Sequence, residues 1–170
     1  MIVKKPGLRI IKTGIALFIS MLLSRLRPGD GLSFYSGIAA VICMETDVMS
    51  TYTKGINRVK GTLIGGIFGL IYLLLLDEII TNEFLNLVLL SIFVTVLIWL
   101  LASFKLNGAI AIASVVFLSV TINHADDKSP LFFALSRVID TLIGVFTAIF
   151  VNGIGFKYRE KKIYKNNKVE

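Results

Sequence analysis

Cysteine, histidine and proline are scarce in this 170-residue chain, which has one cysteine, one histidine and three prolines. A lone cysteine, Cys43, excludes an intrachain disulfide, and the lack of Cys and His clusters excludes the usual zinc-binding patterns. The chain also lacks a phosphate-binding glycine loop ending in Lys-Ser/Thr and an acid pair spaced as in a membrane phosphotransferase. We therefore expect no enzymatic activity, no cofactor and no metal site, which disfavours a membrane-embedded lipid enzyme.

Acidic residues are also few. The chain has 11 Asp and Glu and 18 Lys and Arg, which gives a net charge of +7. Such a balance can indicate nucleic-acid binding. Here, however, the basic residues lie at the ends of apolar runs, where they indicate headgroup contact and membrane orientation. We expect no nucleic-acid partner, and the partner that the pattern indicates is the lipid bilayer.

Hydrophobic residues make up 55% of the chain, and the mean hydropathy is +0.81. They form long runs almost without charge, which is typical of an all-α integral membrane protein. The runs predict a six-helix transmembrane domain over residues 1–156 and a basic cytoplasmic tail over 157–170. The predicted spans are residues 11–24, 32–45, 60–76, 84–104, 108–122 and 131–156. A polar connection through Lys54 to Arg58 is expected between the second and third spans.

The basic residues predict the orientation of these six spans. If the N-terminus is cytoplasmic, fourteen Lys and Arg fall on the inner side and four on the outer side. The positive-inside rule then predicts that the N-terminus and the C-terminus are both cytoplasmic. The four outer residues are Arg25, Arg27, Lys128 and Arg137.

The stretch from Arg58 to Tyr72 returns in altered form in the last third of the chain. Its glycines Gly61, Gly65 and Gly69 recur every fourth residue, as in close helix packing. At an offset of 79 residues, Arg58, Val59, Thr62, Leu63, Ile64 and Gly65 align with identical residues, namely Arg137, Val138, Thr141, Leu142, Ile143 and Gly144. Three spans per copy is an odd number, so the pattern predicts two inverted three-helix repeats. The alternative is a chance match between two glycine-rich helices.

Four segments carry a resemblance to a known family. They are Ser36-Gly-Ile-Ala-Ala-Val, Glu45-Thr46, Gly55-x-x-Arg58-x-x-Gly61-Thr62-x-x-Gly65 and Arg137-Val-Ile-Asp140-Thr141-Leu-Ile-Gly144. From about Arg9 to Phe156 the chain resembles the aromatic acid exporter family of the fusaric acid resistance superfamily, and Lys12-Thr13 fits the same pattern.

The resemblance implies a multi-pass efflux protein of the bacterial inner membrane that carries aromatic carboxylates or similar small organic anions. The superfamily also contains plant anion channels that assemble as dimers. Many relatives carry Gln where this chain has Glu45, and many continue into a cytoplasmic domain where this sequence has a short basic tail. We therefore expect a homodimer or higher oligomer.

Ionisable residues in or near the spans are the candidates for an anion or proton pathway. Asp140 lies three residues after Arg137 on one helix face, so it takes up a proton or orients Arg137 beside an anion; the alternative is a buried ion pair that fixes helix packing. Arg58 begins the helix equivalent to that of Arg137, and either grips a carboxylate or anchors the inner face. Glu45 and Asp47, at the end of the second span, either coordinate a proton or face cytoplasmic water. Lys12 either lines the inner mouth or is an orientation charge.

The remaining candidates carry weaker signals. The equivalent threonines Thr62 and Thr141 are included in the pathway. Gly61, Gly65, Gly69 and Gly144 are assigned to helix packing. His124 is expected to be a solvated loop residue, although a pH role is the alternative. The aromatics Phe34, Tyr35, Phe68 and Tyr72 either contact an aromatic substrate or lie in the core or against lipid.

These features predict an efflux permease for small organic, above all aromatic, carboxylate anions, driven by the membrane potential or a proton gradient. One alternative is an anion channel of the same superfamily. The other is a non-transporting membrane scaffold or subunit that binds a partner through its glycine faces.

Overall fold

A computed structural model describes residues 7–28, 32–76, 82–122 and 130–166, with the side chains of the last segment described for residues 131–154. Six α-helices follow one another: α1 Leu8–Leu26, α2 Ser33–Cys43, α3 Val48–Leu76, α4 Glu83–Ser103, α5 Ile110–Ile122 and α6 Pro130–Asn166. A 3-10 turn, Asn107–Ala109, precedes α5. No strand occurs in these ranges, which confirms the all-α prediction. The predictions for His124 and the loop 123–129 lie outside the described residues.

Three helices are long and apolar enough to cross a membrane, over Val48–Leu75, Glu83–Ser103 and Leu131–Ile154. The apolar helices Ser33–Cys43 and Asn107–Ile122 are shorter. Large apolar side chains such as Phe18, Leu74 and Trp99 are exposed on the helices. In water this surface would be costly, but a bilayer accepts it, so the chain is a membrane protein. That all six helices cross the membrane stays a prediction.

Helix α3 begins at Val48, whereas the sequence predicted a polar connection before a span at residue 60. The reason is a local cap, because the Asp47 carboxylate accepts a hydrogen bond from the Ser50 N–H at 2.7 Å. A capped helix forms whether or not its first turns are apolar. Helix α6 likewise continues beyond residue 156, to Asn166, through a segment free of proline and rich in lysine, a good helix former.

The described helices divide into two compact units, with boundaries inside α3 and α6. Unit 1 comprises residues 1–56 and 140–170, and unit 2 comprises residues 57–139. In unit 1, α1 packs on α2, and Gly144 of α6 lies against the backbone of α2. An added Cβ at Gly144 would collide with the Ser36 carbonyl oxygen and lie 2.5 Å from the Ala39 Cβ. Gly144 therefore permits a close approach that a larger residue would prevent.

Unit 2 has an apolar core in which three aromatic rings meet. The Tyr72 ring lies edge-on to the Phe93 ring at 5.0 Å and to the Phe117 ring at 5.8 Å between centroids. On α3, Gly61, Gly65 and Gly69 all lie against the 3-10 turn and α5. A Cβ on Gly65 would collide with the carbonyl of Ala113, so the helix backbones meet there.

The ends of α4 are closed by local hydrogen bonds. The Asn82 side chain accepts hydrogen bonds from the Phe84 and Leu85 N–H groups. At the other end Lys105 adopts a left-handed φ of 57°, and the N–H groups of Lys105 and Leu106 donate to the carbonyls of Ala102 and Leu101. This pair of bonds is a Schellman motif, which ends the helix and turns the chain toward α5.

Candidate functional site

Buried and half-buried polar groups of unit 1 form two clusters that join α1 to α6. The Asp140 cluster consists of Ser24, Arg27, Leu32 and Asp140. The Asn152 cluster consists of Lys12, Glu45, Asp47, Thr51 and Asn152. Asp140 and Asn152 are twelve residues apart on α6, or about 18 Å along the helix axis. Their partners on α1, Ser24 and Lys12, are equally spaced in the opposite direction, so α1 and α6 run antiparallel.

In the Asp140 cluster, two neutral donors hold the carboxylate. The Ser24 hydroxyl donates to Oδ1 at 2.7 Å, and the Leu32 N–H donates to Oδ2 at 2.8 Å. Because Leu32 is the N-cap of α2, the carboxylate also lies at the positive end of that helix. The Asp140 side chain is fully buried, so these donors replace the hydration that its charge loses.

Arg27 supplies the positive charge of this cluster without a hydrogen bond. Its Nη2 lies 3.6 Å from Oδ2 of Asp140, and 15% of its side chain is exposed. Nε and Nη2 are both buried and have no hydrogen-bond partner in the part of the chain that the structure describes. The cluster therefore contains a guanidinium with two nitrogen atoms that donate no hydrogen bond to the described residues.

In the Asn152 cluster, an amide on α6 organises the connection from α2 to α3. The Asn152 Nδ2 group donates to the Glu45 carbonyl at 3.1 Å, the Asp47 carbonyl at 3.0 Å and the Thr51 hydroxyl at 2.8 Å. Its Oδ1 accepts a hydrogen bond from Lys12 Nζ at 3.1 Å. Asn152 is 1% exposed, so one buried side chain holds α1, α6 and the start of α3 together.

Charge surrounds Glu45 at the same connection. Its carboxylate pairs with Lys54, and with Arg9 at 3.2 Å. The hydrogen bond from Lys54 is the main cause that lowers the pKa of Glu45 below its ordinary value of 4.5; desolvation opposes the shift, and the charge of Arg9 adds to it. The pKa of Asp47 is lowered as well, chiefly by the hydrogen bond from the Ser50 N–H. Both carboxylates are therefore ionised at neutral pH.

Unit 2 holds the two arginines of the sequence repeat. Arg58 is 7% exposed and Arg137 is 5% exposed. The Arg137 Nη1 donates to the Ser119 hydroxyl of α5 at 2.7 Å. Thr62 is also buried in this unit, whereas its equivalent Thr141 is buried in unit 1.

The structure thus brings some predicted site residues together and separates others. Lys12 and Glu45 meet through Asn152, whereas Asp140 lies in the other cluster of unit 1. Among the described residues, no group of three or more His, Cys, Asp and Glu side chains is placed to hold a metal ion.

Four side chains of these clusters were missed by sequence reasoning: Ser24, Arg27, Thr51 and Asn152. Asn152 carried a usable signal, because it is a lone amide in the apolar run Ala148 to Ile154. Arg27 was counted as an outer-loop charge, since its pairing with Asp140 joins residues far apart in the chain.

Comparison with known families decides the class of the protein. The family model described as "Aromatic acid exporter family member 1" matches residues 4–154. The chain belongs to the aromatic acid exporter family. The resemblance read from the four sequence segments is thereby confirmed.

Curated relatives of this exporter-family chain come from bacteria. The chain is 26% identical over 162 residues to the UPF0421 protein YgaE of Bacillus subtilis, an alignment covering 94% of this chain and 43% of the relative. It is 28% identical over 150 residues to a UPF0421 protein of Staphylococcus haemolyticus, covering 87% of this chain and 42% of that relative. The chain therefore spans less than half the length of these relatives.

Proposed function

We propose that the chain is an efflux permease of the bacterial inner membrane for small organic, above all aromatic, carboxylate anions. Family membership supports the transport class. The single observation that carries the anion assignment is the burial of Arg58 and Arg137, which begin the two copies of the sequence repeat. A guanidinium inside a membrane protein is costly, and such residues commonly mark ion or substrate paths.

In this proposal the six helices cross the bilayer as two inverted repeats, both termini are cytoplasmic, and the protein works as a homodimer or higher oligomer. The arginines attract and orient the carboxylate, because a guanidinium offers two parallel hydrogen bonds to it. In unit 2, which holds the two arginines, Thr62 supplies a neutral donor. In unit 1, Thr141 supplies a neutral donor and Lys12 a positive charge, and Asp140 and Glu45 are the carboxylates assigned to coupling with a proton gradient.

The membrane potential is sufficient to drive such export. The cell interior is negative, so an anion that moves outward gains about 2.3 kcal/mol per 100 mV. This free energy corresponds to a concentration ratio of about 50-fold between outside and inside. No ATP-binding module is required.

The test is flux of labelled 4-hydroxybenzoate through liposomes that contain the full chain, with an imposed membrane potential. We expect saturable flux that increases with the potential and falls about tenfold in Arg137→Ala and in Arg58→Ala. Lys60→Ala is the matched control for Arg58, because Lys60 is exposed and lies two residues away. Each variant is first checked for a wild-type elution profile.

The outcomes separate the alternatives. Unsaturable flux with single-channel currents would assign the chain to the anion channels. Absence of flux for every carboxylate tested would reject transport and favour the scaffold. Equal loss in Lys60→Ala and Arg58→Ala would reject the specific role of the buried arginines.

A further inference from the structure

Arg27 presents a hydrogen-bonding edge that nothing in the described chain fills. The two buried atoms without partners are Nε and Nη2. In a guanidinium these two N–H groups point in the same direction, and together they match the two oxygens of a carboxylate. An unfilled edge of this kind is suited to an external carboxylate.

Asp140 neutralises Arg27 but does not fill this edge. Its oxygens already accept hydrogen bonds from Ser24 and Leu32, and the closest approach to Arg27 is 3.6 Å. That distance is longer than a normal N–H···O hydrogen bond. Asp140 is thus held in place by α1 and α2 donors that do not depend on Arg27, and it stays there if the arginine changes partner.

The backbone at Arg27 leaves the side chain room to change partner. Arg27 is the C-cap of α1, with extended φ and ψ of −68° and 134°, and Pro28 follows it. Part of its side chain is exposed although Nε and Nη2 are closed off, so the guanidinium can turn outward without breaking α1.

We propose that Arg27 is a carboxylate-binding residue of the transport route, and that Asp140 is the internal carboxylate that neutralises it when no anion is bound. The inference rests on the proposed function. It adds Arg27 to the anion-binding residues and makes Asp140 the group that competes with the substrate for Arg27. In the resting state the Arg27 guanidinium faces Asp140. A substrate carboxylate then takes both Nε–H and Nη2–H in two parallel hydrogen bonds, which Asp140 does not accept.

The competition between Asp140 and a substrate carboxylate for Arg27 predicts whether each variant binds the substrate more or less tightly. The Asp140 charge holds Arg27 and repels an incoming anion, so the neutral Asp140→Asn variant is expected to bind a carboxylate more tightly. Removal of Arg27 is expected to weaken binding. Arg27→Lys is expected to weaken it as well, because an ammonium is a point charge without the two-donor edge.

The experiment measures equilibrium binding of 4-hydroxybenzoate to the full chain in lipid nanodiscs, with 4-hydroxybenzyl alcohol as the ligand that lacks a carboxylate. We expect Kd to rise about tenfold in Arg27→Ala and Arg27→Lys and to fall about fivefold in Asp140→Asn. The alcohol should show no such dependence. Arg25→Ala is the matched control, because Arg25 is exposed on the same helix end and its loss removes the same charge. Its Kd should stay within about twofold of wild type.

Arg27→Ala leaves Asp140 buried without a counter-charge and can fail to fold, so the double variant Arg27→Ala/Asp140→Asn is measured too. It should fold and bind as weakly as Arg27→Ala. Wild-type affinity in the double variant, an equal loss in Arg25→Ala, or no gain in Asp140→Asn would each overturn the inference.

The same data separate this inference from the proposed function. Wild-type flux with an unchanged Kd in all variants rejects the role of Arg27 and leaves the permease proposal intact. The expected Kd pattern without flux rejects the permease and retains the site. Absence of binding in both wild type and Asp140→Asn rejects the site.

Discussion

At the scale of single residues, Asn152 is a buried side chain of unit 1 that takes part in four hydrogen bonds. It donates to two backbone carbonyls and one hydroxyl, and it accepts from Lys12. The carbonyls of Glu45 and Asp47 lie in the connection before α3, where the Asp47 carbonyl also accepts the Thr51 N–H at 3.2 Å as the helix begins. The Asn152 amide adds a hydrogen bond to each of these two carbonyls and so ties the connection to α6.

We predict that Asn152→Ala lowers the free energy of unfolding by about 1–3 kcal/mol, because buried polar groups lose their partners. Thermal unfolding in detergent, followed by circular dichroism, measures the change. The neighbouring Gly153→Ala is the control, since a Cβ there meets nothing within 4 Å and alanine favours the helix. Equal stability of Asn152→Ala and wild type would show that the cluster contributes little.

The lowered pKa of Glu45 predicts how the stability of the α2–α3 connection depends on pH. Its pKa is lowered in the folded protein, so its contribution to stability is present above pH 4.5 and is lost as the pH falls through the folded pKa. The melting temperature of wild type should therefore fall as the pH is lowered below 4.5. Glu45→Gln should melt lower than wild type at pH 7 and show a smaller drop on acidification.

Glu83→Gln is the control for this pH series, because Glu83 is exposed in the first turn of α4. It should follow the wild-type curve. A pH profile of Glu45→Gln that parallels wild type would contradict the role of Glu45 as the titrating group.

At the residue level, chemistry alone indicates which charges need a partner. Lys12, Glu45 and Asp140 were recognised as costly charges in or near apolar segments, and the structure places all three in polar clusters. Their partners were not recognised, because Asn152 and Arg27 are more than 100 residues away from Lys12 and Asp140 along the chain. Sequence periodicity carries no information about contacts of that separation.

At the scale of helices, the order of the six apolar segments was predicted and the polar start of α3 was not. Hydropathy reports whether a segment suits lipid, whereas helix formation depends on capping and backbone hydrogen bonds. Residues 48–59 form a helix although their polar side chains do not suit lipid. Residues 48–56 of this polar helical segment belong to unit 1, where Asp47 caps the helix and Gly55 lies against Val145.

The adjacent glycines Gly65 and Gly66 provide a matched test of the helix contact in unit 2. A Cβ on Gly65 would collide with the Ala113 carbonyl, whereas a Cβ on Gly66 would find its nearest neighbour, the Ala134 Cβ, at 4.0 Å. We predict that Gly65→Ala lowers the free energy of unfolding by about 1–3 kcal/mol and that Gly66→Ala does not lower it. Urea titration of both variants in the same detergent measures the difference. Similar midpoints for the two would mean that α3 and α5 adjust at little cost.

At the scale of the whole molecule, the interior of unit 1 differs in chemistry from the interior of unit 2. Unit 1 contains the buried Asp140 and Asn152 clusters, and unit 2 contains the aromatic core of Tyr72, Phe93 and Phe117. The sequence repeat relates segments that lie in both units, yet the repeat does not extend to these side chains. Similar helices have thus acquired different interiors.

The predicted membrane orientation has a direct test by cysteine labelling in intact cells. In a Cys43→Ala background, we expect Lys5→Cys and Lys168→Cys to be protected from a membrane-impermeant maleimide and Asp127→Cys to react. Cys43 is removed because it is the one native thiol of the chain. After permeabilisation all three positions should react. Labelling of either terminus in intact cells would contradict six spans with both termini inside.

The sequence by itself determined the solvent, the secondary-structure class and the family, because hydropathy, helix formation and short motifs depend on residues close together in the chain. Only the tertiary structure decided which charges are neighbours. It paired Asp140 with Arg27, placed Asn152 against the α2–α3 connection, and left Nε and Nη2 of Arg27 without a hydrogen-bond partner among the residues that it describes. The physical reason is that burial makes a charge costly wherever it lies, but the packing of α1, α2 and α6 selects the group that compensates it.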